Sequence, residues 1–329
     1  MVGAGRWGKN IIRVLSGIDA VDLVVACDRN LRELDGLSPA VQREAVPELV
    51  FCRPDIDAVV IATPPSTHAE LTLAALRAKK HVFVEKPMAM RTSDAVMIRR
   101  VADDADRRVM VGFILLHHPA VIALQELVRS GRLGSICSIR AARAASRLPT
   151  PEHPLWWSLA PHDASLALSL VDSAPREISV ARHRMGNQET LEATVSFGGP
   201  VQLDMAVSSE PGPRRFEVRG TTATAIFDGL ASSKKLMLCD AVNGATEEVV
   251  LTTTEPLAAE LGHFVECLTH GNDFSPALDH AVDVVNLLAL GERSYGLNGS
   301  TETIRTWRGP SRRDEAAQAA SSVLDSSRP

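Results

Sequence analysis

The strongest constraint on this chain is the glycine turn at its start, Gly3-Ala4-Gly5-Arg6-Trp7-Gly8, taken with the apolar run Leu23-Val24-Val25-Ala26-Cys27 and the acid Asp28 that closes it. Residues 9–17, between turn and run, read as helix. Glycine turn, helix, strand and acid in that order are the parts of a βαβ nucleotide unit. Gly3 permits the tight turn, Gly5 removes a side chain beside a pyrophosphate, and Gly8 lets helix and strand pack closely. Exposed amides at the helix start offer donors to phosphate oxygens. Asp28 is suited to accept both ribose hydroxyls and to repel a 2′-phosphate, which favours NAD, whereas Arg29 next to it can accommodate that phosphate and keeps NADP open. Such a turn ordinarily follows a buried strand, yet only Met1 and Val2 precede Gly3. The expectation is that several strand residues are missing from the start, or else that the first strand is unusually brief.

The pattern continues through residue 113. Ala58-Val59-Val60-Ile61-Ala62 reads as a buried strand leading into Thr63-Pro64-Pro65-Ser66-Thr67-His68-Ala69-Glu70. The prolines restrict that loop, and Thr67 with Glu70 suggests a capping box for the helix that follows. Val82-Phe83-Val84 is a further short strand delivering Glu85-Lys86-Pro87 at its end, and residues 108–113 read as the closing strand. Open parallel sheets bind ligands in the crevice outside their strands' carboxyl ends. Thr63, Pro64 and Lys86 are therefore expected beside a nicotinamide, although a lysine after a strand is also an ordinary solvated surface group.

Composition narrows the class. With 329 residues the chain exceeds a single ordinary core, so two domains are expected. Lys plus Arg number 35 against 40 Asp plus Glu, a formal charge of −5, which argues against a general nucleic-acid or anionic-membrane surface. Cys27, Cys52, Cys137, Cys239 and Cys267 lie far apart, contain no CxxC pair and make a poor disulfide framework. No apolar stretch reaches the roughly 18 residues of a membrane span. The start lacks a signal-peptide core, and a cytoplasmic location is expected.

Beyond His118-Pro119 the pattern changes. A helix is predicted over 119–130, a turn at Gly131 and Gly134, and strands over 135–142, 176–184, 189–197, 201–208, 214–220 and 223–228. Strands separated by Gly/Pro turns fit an antiparallel sheet better than further doubly wound units. Residues 257–270 and 278–295 return to helix, and the polar tail after Gly309 is expected to be flexible. Within this half lies Trp156-Trp157-Ser158-Leu159-Ala160-Pro161-His162-Asp163. The two indoles suit either a sugar-sized cavity or simple core packing. His162 can take a proton from a substrate hydroxyl, or serve as a structural histidine. Asp163 is read as orienting nearby groups or capping a helix. His117-His118 is a weaker candidate for substrate contact. His263 and His270 lack a second ligand pair, so no metal site is expected. Neither a nucleophile elbow nor a G-x-x-x-x-G-K-[ST] loop occurs.

The whole arrangement resembles the glucose-fructose oxidoreductase / inositol dehydrogenase / rhizopine-catabolism (Gfo/Idh/MocA) oxidoreductase family. The likeness runs from GAGRWG at 3–8 through ATPPSTHAELTLAALRAKKHVFVEKP at 62–87 to the last helices, and the EKP sequence in this context is its most specific part. It implies an α/β architecture: an N-terminal Rossmann domain, residues 1–117, joined to a C-terminal α+β domain, residues 118–308, with an open, mainly antiparallel sheet. Residues 309–329 form the tail. It also implies homodimers or homotetramers. GFILLHHPAV at 112–121 and WWSLAPHDASLALSL at 156–170 resemble enzymes acting on nucleotide-linked sugars or aminosugars.

The resemblance implies catalytic roles for Lys86, at the family's active-site lysine, and His162, at the histidine of a D-x-x-x-H motif. The aspartate position of that motif holds Ser158, which hydrogen-bonds but supplies no negative charge. Gly3, Gly5, Arg6, Trp7, Gly8, Asp28, Arg29, Thr63, Pro64, His68, Glu85 and Lys86 are placed at the NAD or NADP cofactor. His117, Trp156, Trp157, Ser158 and His162 are placed at the substrate. The activity expected is NAD(P)-dependent interconversion of a secondary hydroxyl and a ketone on a sugar. The alternatives are a nicotinamide-binding protein of structural or regulatory role with little redox activity, and a redox-assisted lyase or hydrolase.

Overall fold

The computed structural model describes residues 1–145, 149–271 and 275–307. The chain divides into two compact units, residues Met1–Ile114 with Glu255–Val282, and Leu115–Thr254 with residues 283–307. The tail after Gly309, expected to be flexible, lies outside the described residues.

In the first unit the elements run α1 (Arg6–Leu15), β1 (Val25–Cys27), β2 (Gln42–Glu44), α2 (Pro47–Phe51), β3 (Ala58–Ile61), α3 (Pro65–Arg77), β4 (His81–Glu85), α4 (Thr92–Ala105) and β5 (Val109–Gly112). The strands are short and parallel, with Val59 beside Val82 and Val84 beside Val111; their centres are apolar except in the polar, mostly exposed edge strand β2. Continuous apolar runs are what a sheet buried on both faces requires. Val2 bridges Cys27 on one side and Ile61 on the other, both in parallel. Backbone bonds from Val2 N to Val60 O (2.7 Å) and from Cys27 N to Met1 O (2.8 Å) stitch residues 1–3 between β1 and β3. The sheet order is therefore β2, β1, residues 1–3, β3, β4, β5. That is the Rossmann order, with its reversal between residues 1–3 and β3. Residues 1–3 are thus paired on both edges, with Val2 bridging β1 and β3.

The helix following the Thr63-Pro64 loop starts earlier than the Thr67–Glu70 capping box suggested. Pro65 occupies its first turn and Pro64 its cap, since proline's fixed φ suits the first helical position. Thr67 lies inside the helix, its Oγ1 donating to Pro64 O (2.8 Å).

The second unit follows with α5 (Pro119–Arg129), β6 (Ile136–Ala144), α6 (Leu155–Leu170), β7 (Pro175–Met185), β8 (Gln188–Phe197), β9 (Gln202–Ser208), β10 (Arg214–Gly220), β11 (Ala223–Asp228), β12 (Leu236–Asp240) and β13 (Thr246–Glu248). After α7 (Pro256–His270) and α8 (Ser275–Gly296), β14 (Glu302–Thr303) closes the described chain. The sheet order is β13-β12-β11-β10-β6-β9-β8-β7-β14, antiparallel at every step except the parallel pair β6–β9. Alternate residues point inward: Leu191, Ala193, Val195 and Phe197 on β8, and Leu203, Met205 and Val207 on β9. This period of two buries one face. The opposite face carries Arg140, Glu192, Thr194, Asp204, Arg215 and Glu217 around an open concavity of about 450 Å³.

The division of the chain differs from a single cut at residues 117/118. Residues 255–282 return to the first unit because α7 carries an apolar stripe, Leu257, Leu261, Phe264 and Cys267, that belongs to that unit's core with Ile11, Leu15, Phe83 and Met110. Phe264 meets Phe83 of β4 edge to face at 5.6 Å between centroids. Removing the Phe264 ring leaves a cavity in that core, and large-to-small changes of this kind cost about 3–5 kcal/mol. Phe264→Ala is therefore expected to lower the unfolding free energy by about that amount in a urea titration, and a loss near zero would remove α7 from the core.

Candidate functional site

The glycine turn sits at the reversal of the first unit's sheet. Gly3 has φ +93°, and a Cβ added there would lie 2.6 Å from Ala62 O at the end of β3. Only glycine tolerates both the left-handed backbone and the close approach. A Cβ on Gly8 would lie 2.0 Å from Gly3 O, so the start of α1 docks directly onto the turn. Gly5 differs: a Cβ there would meet nothing within 4 Å. It is the N-cap of α1, with no side-chain cap bond and no acid in the first turn. The helix therefore begins with uncapped amides beside open space, where a phosphate group is favoured.

Asp28, just after β1, braces this turn. Its Oδ2 accepts from Ala4 N and its Oδ1 from Asn30 N, both at 2.8 Å. Each carboxylate oxygen keeps a further lone pair, so the acid can still accept ribose hydroxyls. Arg6 and Arg29 are exposed, as is Trp7. A dinucleotide fits this set: an open pyrophosphate cradle, uncapped helix amides and a fixed acid.

Two residues expected at the cofactor, His68 and Glu85, are buried. His68 is 1% exposed. Its Nδ1 lies 2.8 Å from Pro87 O and its Nε2 2.7 Å from Thr63 O, so the ring ties the loop after β3 to the loop after β4. Burial pushes its pKa down, against the upward pull of those carbonyls. A ring spanning two backbone oxygens leaves no nitrogen for a cofactor. Glu85 is also buried, and its Oε1 accepts the Trp7 indole N–H at 2.6 Å. Burial raises its pKa, while Lys86 and Trp7 pull it back. Thr63 and Pro64 are half-buried, and Thr63 shares a 2.7 Å hydroxyl contact with Thr67. Lys86 is half-buried directly after β4, with a cis peptide to Pro87.

In the second unit, Ser158 and His162 lie one turn apart on α6, both half-buried, which puts them on one helix face. Pro161 sits inside the helix and removes the amide that would have bonded the Trp157 carbonyl. Asp163 is buried in mid-helix and pairs with Arg143 of β6 through two bonds of 2.8 and 2.7 Å. It anchors α6 to the sheet and caps nothing. That pair was legible only as an arginine at an inward position of β6 (Ile139, Ala141, Arg143). Its partner is the one acid of a mostly apolar helix.

Both indoles are buried. Trp156 is core: Nε1 donates to Leu288 O (2.9 Å), and its ring fills the space a side chain on Gly291 would need. Trp157 is fully buried with its indole N–H unpartnered. Of the two readings the sequence allows for them, cavity lining and core packing, their burial fits core packing. His117 is half-buried in the 3₁₀ turn Ile114–His117. His118 is the N-cap of α5, its Nδ1 accepting from Ala120 N at 3.1 Å while its ring packs on Phe227. Burial and Lys235 hold its pKa low.

The chain belongs to the GFO/IDH/MocA family. The model of the oxidoreductase family with an NAD-binding Rossmann fold matches residues 1–113, and that of the GFO/IDH/MocA C-terminal domain matches residues 121–226. Inositol 2-dehydrogenase of Rhizobium meliloti (strain 1021) is 27% identical over 185 residues, 54% of this chain and 56% of that protein. The 1,5-anhydro-D-fructose reductase of Ensifer adhaerens is 29% identical over 253 residues, 70% of this chain and 74% of that protein. The chain spans about half the length of several curated relatives that it matches. The UDP-N-acetylglucosamine 3-dehydrogenase of Acidithiobacillus ferrooxidans shares the fold, with a TM-score of 0.78 at 20% identity over 90% of this chain and 97% of that one.

The two glycines separate structure from binding. Gly3→Ala is expected to destabilise the protein by about 1–3 kcal/mol. Gly5→Ala is expected to keep its melting temperature while weakening NAD binding on the order of tenfold, since a methyl group then occupies the cradle. Calorimetry and a fluorescence titration read the two effects, and equal NAD affinity in Gly5→Ala and the parent would remove the cradle.

Proposed function

We propose that this protein is an NAD(P)-dependent oxidoreductase that interconverts a secondary hydroxyl and a ketone on a sugar, with NAD the preferred cofactor. The observation that carries the reading is the open space above Gly5 at the uncapped start of α1, beside the braced Asp28. Asp28 favours NAD because a carboxylate repels a 2′-phosphate. The names of similar proteins, which refer to inositol, levoglucosan and anhydrofructose, support a polyol or sugar ring. A nucleotide-linked or amino sugar is the narrower expectation, supported by the likeness of residues 156–170.

When bound, the nicotinamide supplies or accepts the hydride. Lys86 orients the reacting oxygen and stabilises the charge that develops on it. His162 removes the hydroxyl proton in oxidation and returns it in reduction. Ser158, one turn earlier on the same helix face, can hold the imidazole by a hydrogen bond but adds no carboxylate charge to favour its protonated form. That substitution favours a second reading, a nicotinamide-binding protein of structural or regulatory role with little redox turnover. Assembly as a homodimer or homotetramer is proposed through the open sheet face. Its interspersed Arg140, Arg215, Glu192 and Glu217 suit pairing with a copy of itself. A cytoplasmic location accompanies this reading.

A panel of polyols, sugars and sugar nucleotides assayed at 340 nm is expected to give reversible NADH formation with at least one class. With that substrate, Lys86→Met and His162→Asn should each lower kcat by about 10²–10⁴ while NAD affinity stays within about threefold. Turnover equal to the parent in either variant would reject its role. NAD binding without hydride exchange across the panel would favour the second reading.

A further inference from the structure

The ladder between β3 and β4 ends where Ile61 pairs with Val84. Thr63 follows on one side of that end, and Lys86 and Pro87 follow on the other. His68, at the start of α3, spans the two segments. Its Nε2 lies 2.7 Å from Thr63 O and its Nδ1 2.8 Å from Pro87 O. Thr63 in turn backs onto the glycine turn, since a Cβ on Gly3 would lie 2.9 Å from Thr63 N. One buried ring therefore registers the segment that bears Lys86 against the turn on which the dinucleotide cradle is built.

Both contacts are of hydrogen-bond length, and both oxygens are carbonyls, which only accept. A neutral imidazole has a single N–H. It donates to one of these oxygens and turns a bare nitrogen toward the other. The ring is 1% exposed, so bulk water does not relieve that second contact. An imidazolium, with a proton on each nitrogen, satisfies both oxygens where they stand.

The surroundings oppose that second proton. Burial is the largest influence on His68 and lowers its pKa, while the Pro87 and Thr63 carbonyls raise it. Lys86 lowers it further, and Glu85 raises it through its backbone; the Glu85 carboxylate is turned to the Trp7 indole. His81 lies at the opposite end of β4. Glu70 and Arg77 on α3 are exposed, as are Glu48 on α2 and Arg91 at the cap of α4, and Asp94 in the first turn of α4 is half-buried. The second proton accordingly enters below the ordinary histidine value, near 6.5.

We infer that His68 is a positioning residue whose proton count sets how firmly Lys86 is registered: with one proton it holds one loop, and with two it holds both. The grip is thus tightest on the acid side of neutrality. This role rests on the reaction proposed above, because the placing of Lys86 matters only if that side chain meets a reacting oxygen.

Long-range ¹H–¹⁵N spectra of the full chain, labelled at histidine, count the ring protons directly. The His68 signals are those lost in His68→Gln. One protonated and one bare ring nitrogen are expected at mildly alkaline pH, and two protonated nitrogens below a midpoint under about 6.5, with the fold intact. A bare nitrogen that persists until the chain unfolds, or two N–H groups throughout, would overturn the proton count. With the substrate that the 340 nm panel identifies, the ratio of wild-type kcat to that of His68→Gln cancels the titration of His162, which both proteins share. The ratio is expected to grow on the order of tenfold as pH falls through the ring's midpoint, the worth of about one hydrogen bond, while NAD Kd in the two proteins stays within about threefold. A ratio that does not change with pH, or a change away from that midpoint, would overturn the positioning role. If no substrate gives turnover, the reaction and the positioning role fall together, and the spectra still decide the proton count. If His68→Gln does not fold, His68→Asn takes its place in the ratio, and the ring is assigned in the wild type from the proximity of its N–H protons to Thr63 and Pro87.

Discussion

The first unit depends on one backbone approach. Gly3 lies so close to Ala62 O, and Gly8 to Gly3 O, that main chain packs on main chain with no side chain between. The reversal of strand order brings the turn there, and the absence of side chains lets α1 begin on top of it. The uncapped amides of α1 and the open space above Gly5 follow from that docking. The supports are then added around it. Asp28 grips the loop from β1, His68 ties together the loops that follow β3 and β4, and Glu85 holds the Trp7 indole. Each brings a polar group into the interior, and each has a stated partner, as buried polar groups require.

The second unit fixes its candidate residues by a different means. α6 is mostly apolar and buried, and its placement on the sheet is set by the Arg143–Asp163 fork. A planar guanidinium meeting a carboxylate at two points defines rotation as well as distance. Because Asp163 adjoins His162, the fork fixes the orientation of the helix that presents Ser158 and His162. Breaking a buried pair of this kind leaves an uncompensated charge, which costs about 3–5 kcal/mol.

Much of this was readable from residue order. The turn at 3–8, the runs at 58–62 and 82–84 and the strand at 223–228 announced themselves because buried parallel strands and alternating strands leave opposite periodicities. The parallel step within the second unit's sheet, β6 with β9, was not readable, since pairing partners distant in sequence leave no local trace. The shift of α7 into the first unit was hidden for the same reason: an apolar stripe says that a helix packs, and not against what. At Trp156 and Trp157 the sequence left the choice open, because large aromatic side chains suit a binding cavity and a core equally. His68 and Glu85 were recognised as belonging to the region. Their partners, two backbone carbonyls and an indole, became visible only once the loops were assembled.

Asp28 carries a consequence for how cofactor choice can change. Both of its oxygens are already engaged by main-chain amides, at Ala4 and Asn30. The group suited to discriminate between two dinucleotides is therefore also a fastener of the loop that would receive either. A side chain without acceptor oxygens at this position would release both amides and unbutton the turn. Any change of charge at this edge of the crevice is therefore tied to the stability of the loop itself, whereas the exposed Arg29 beside it carries no such burden.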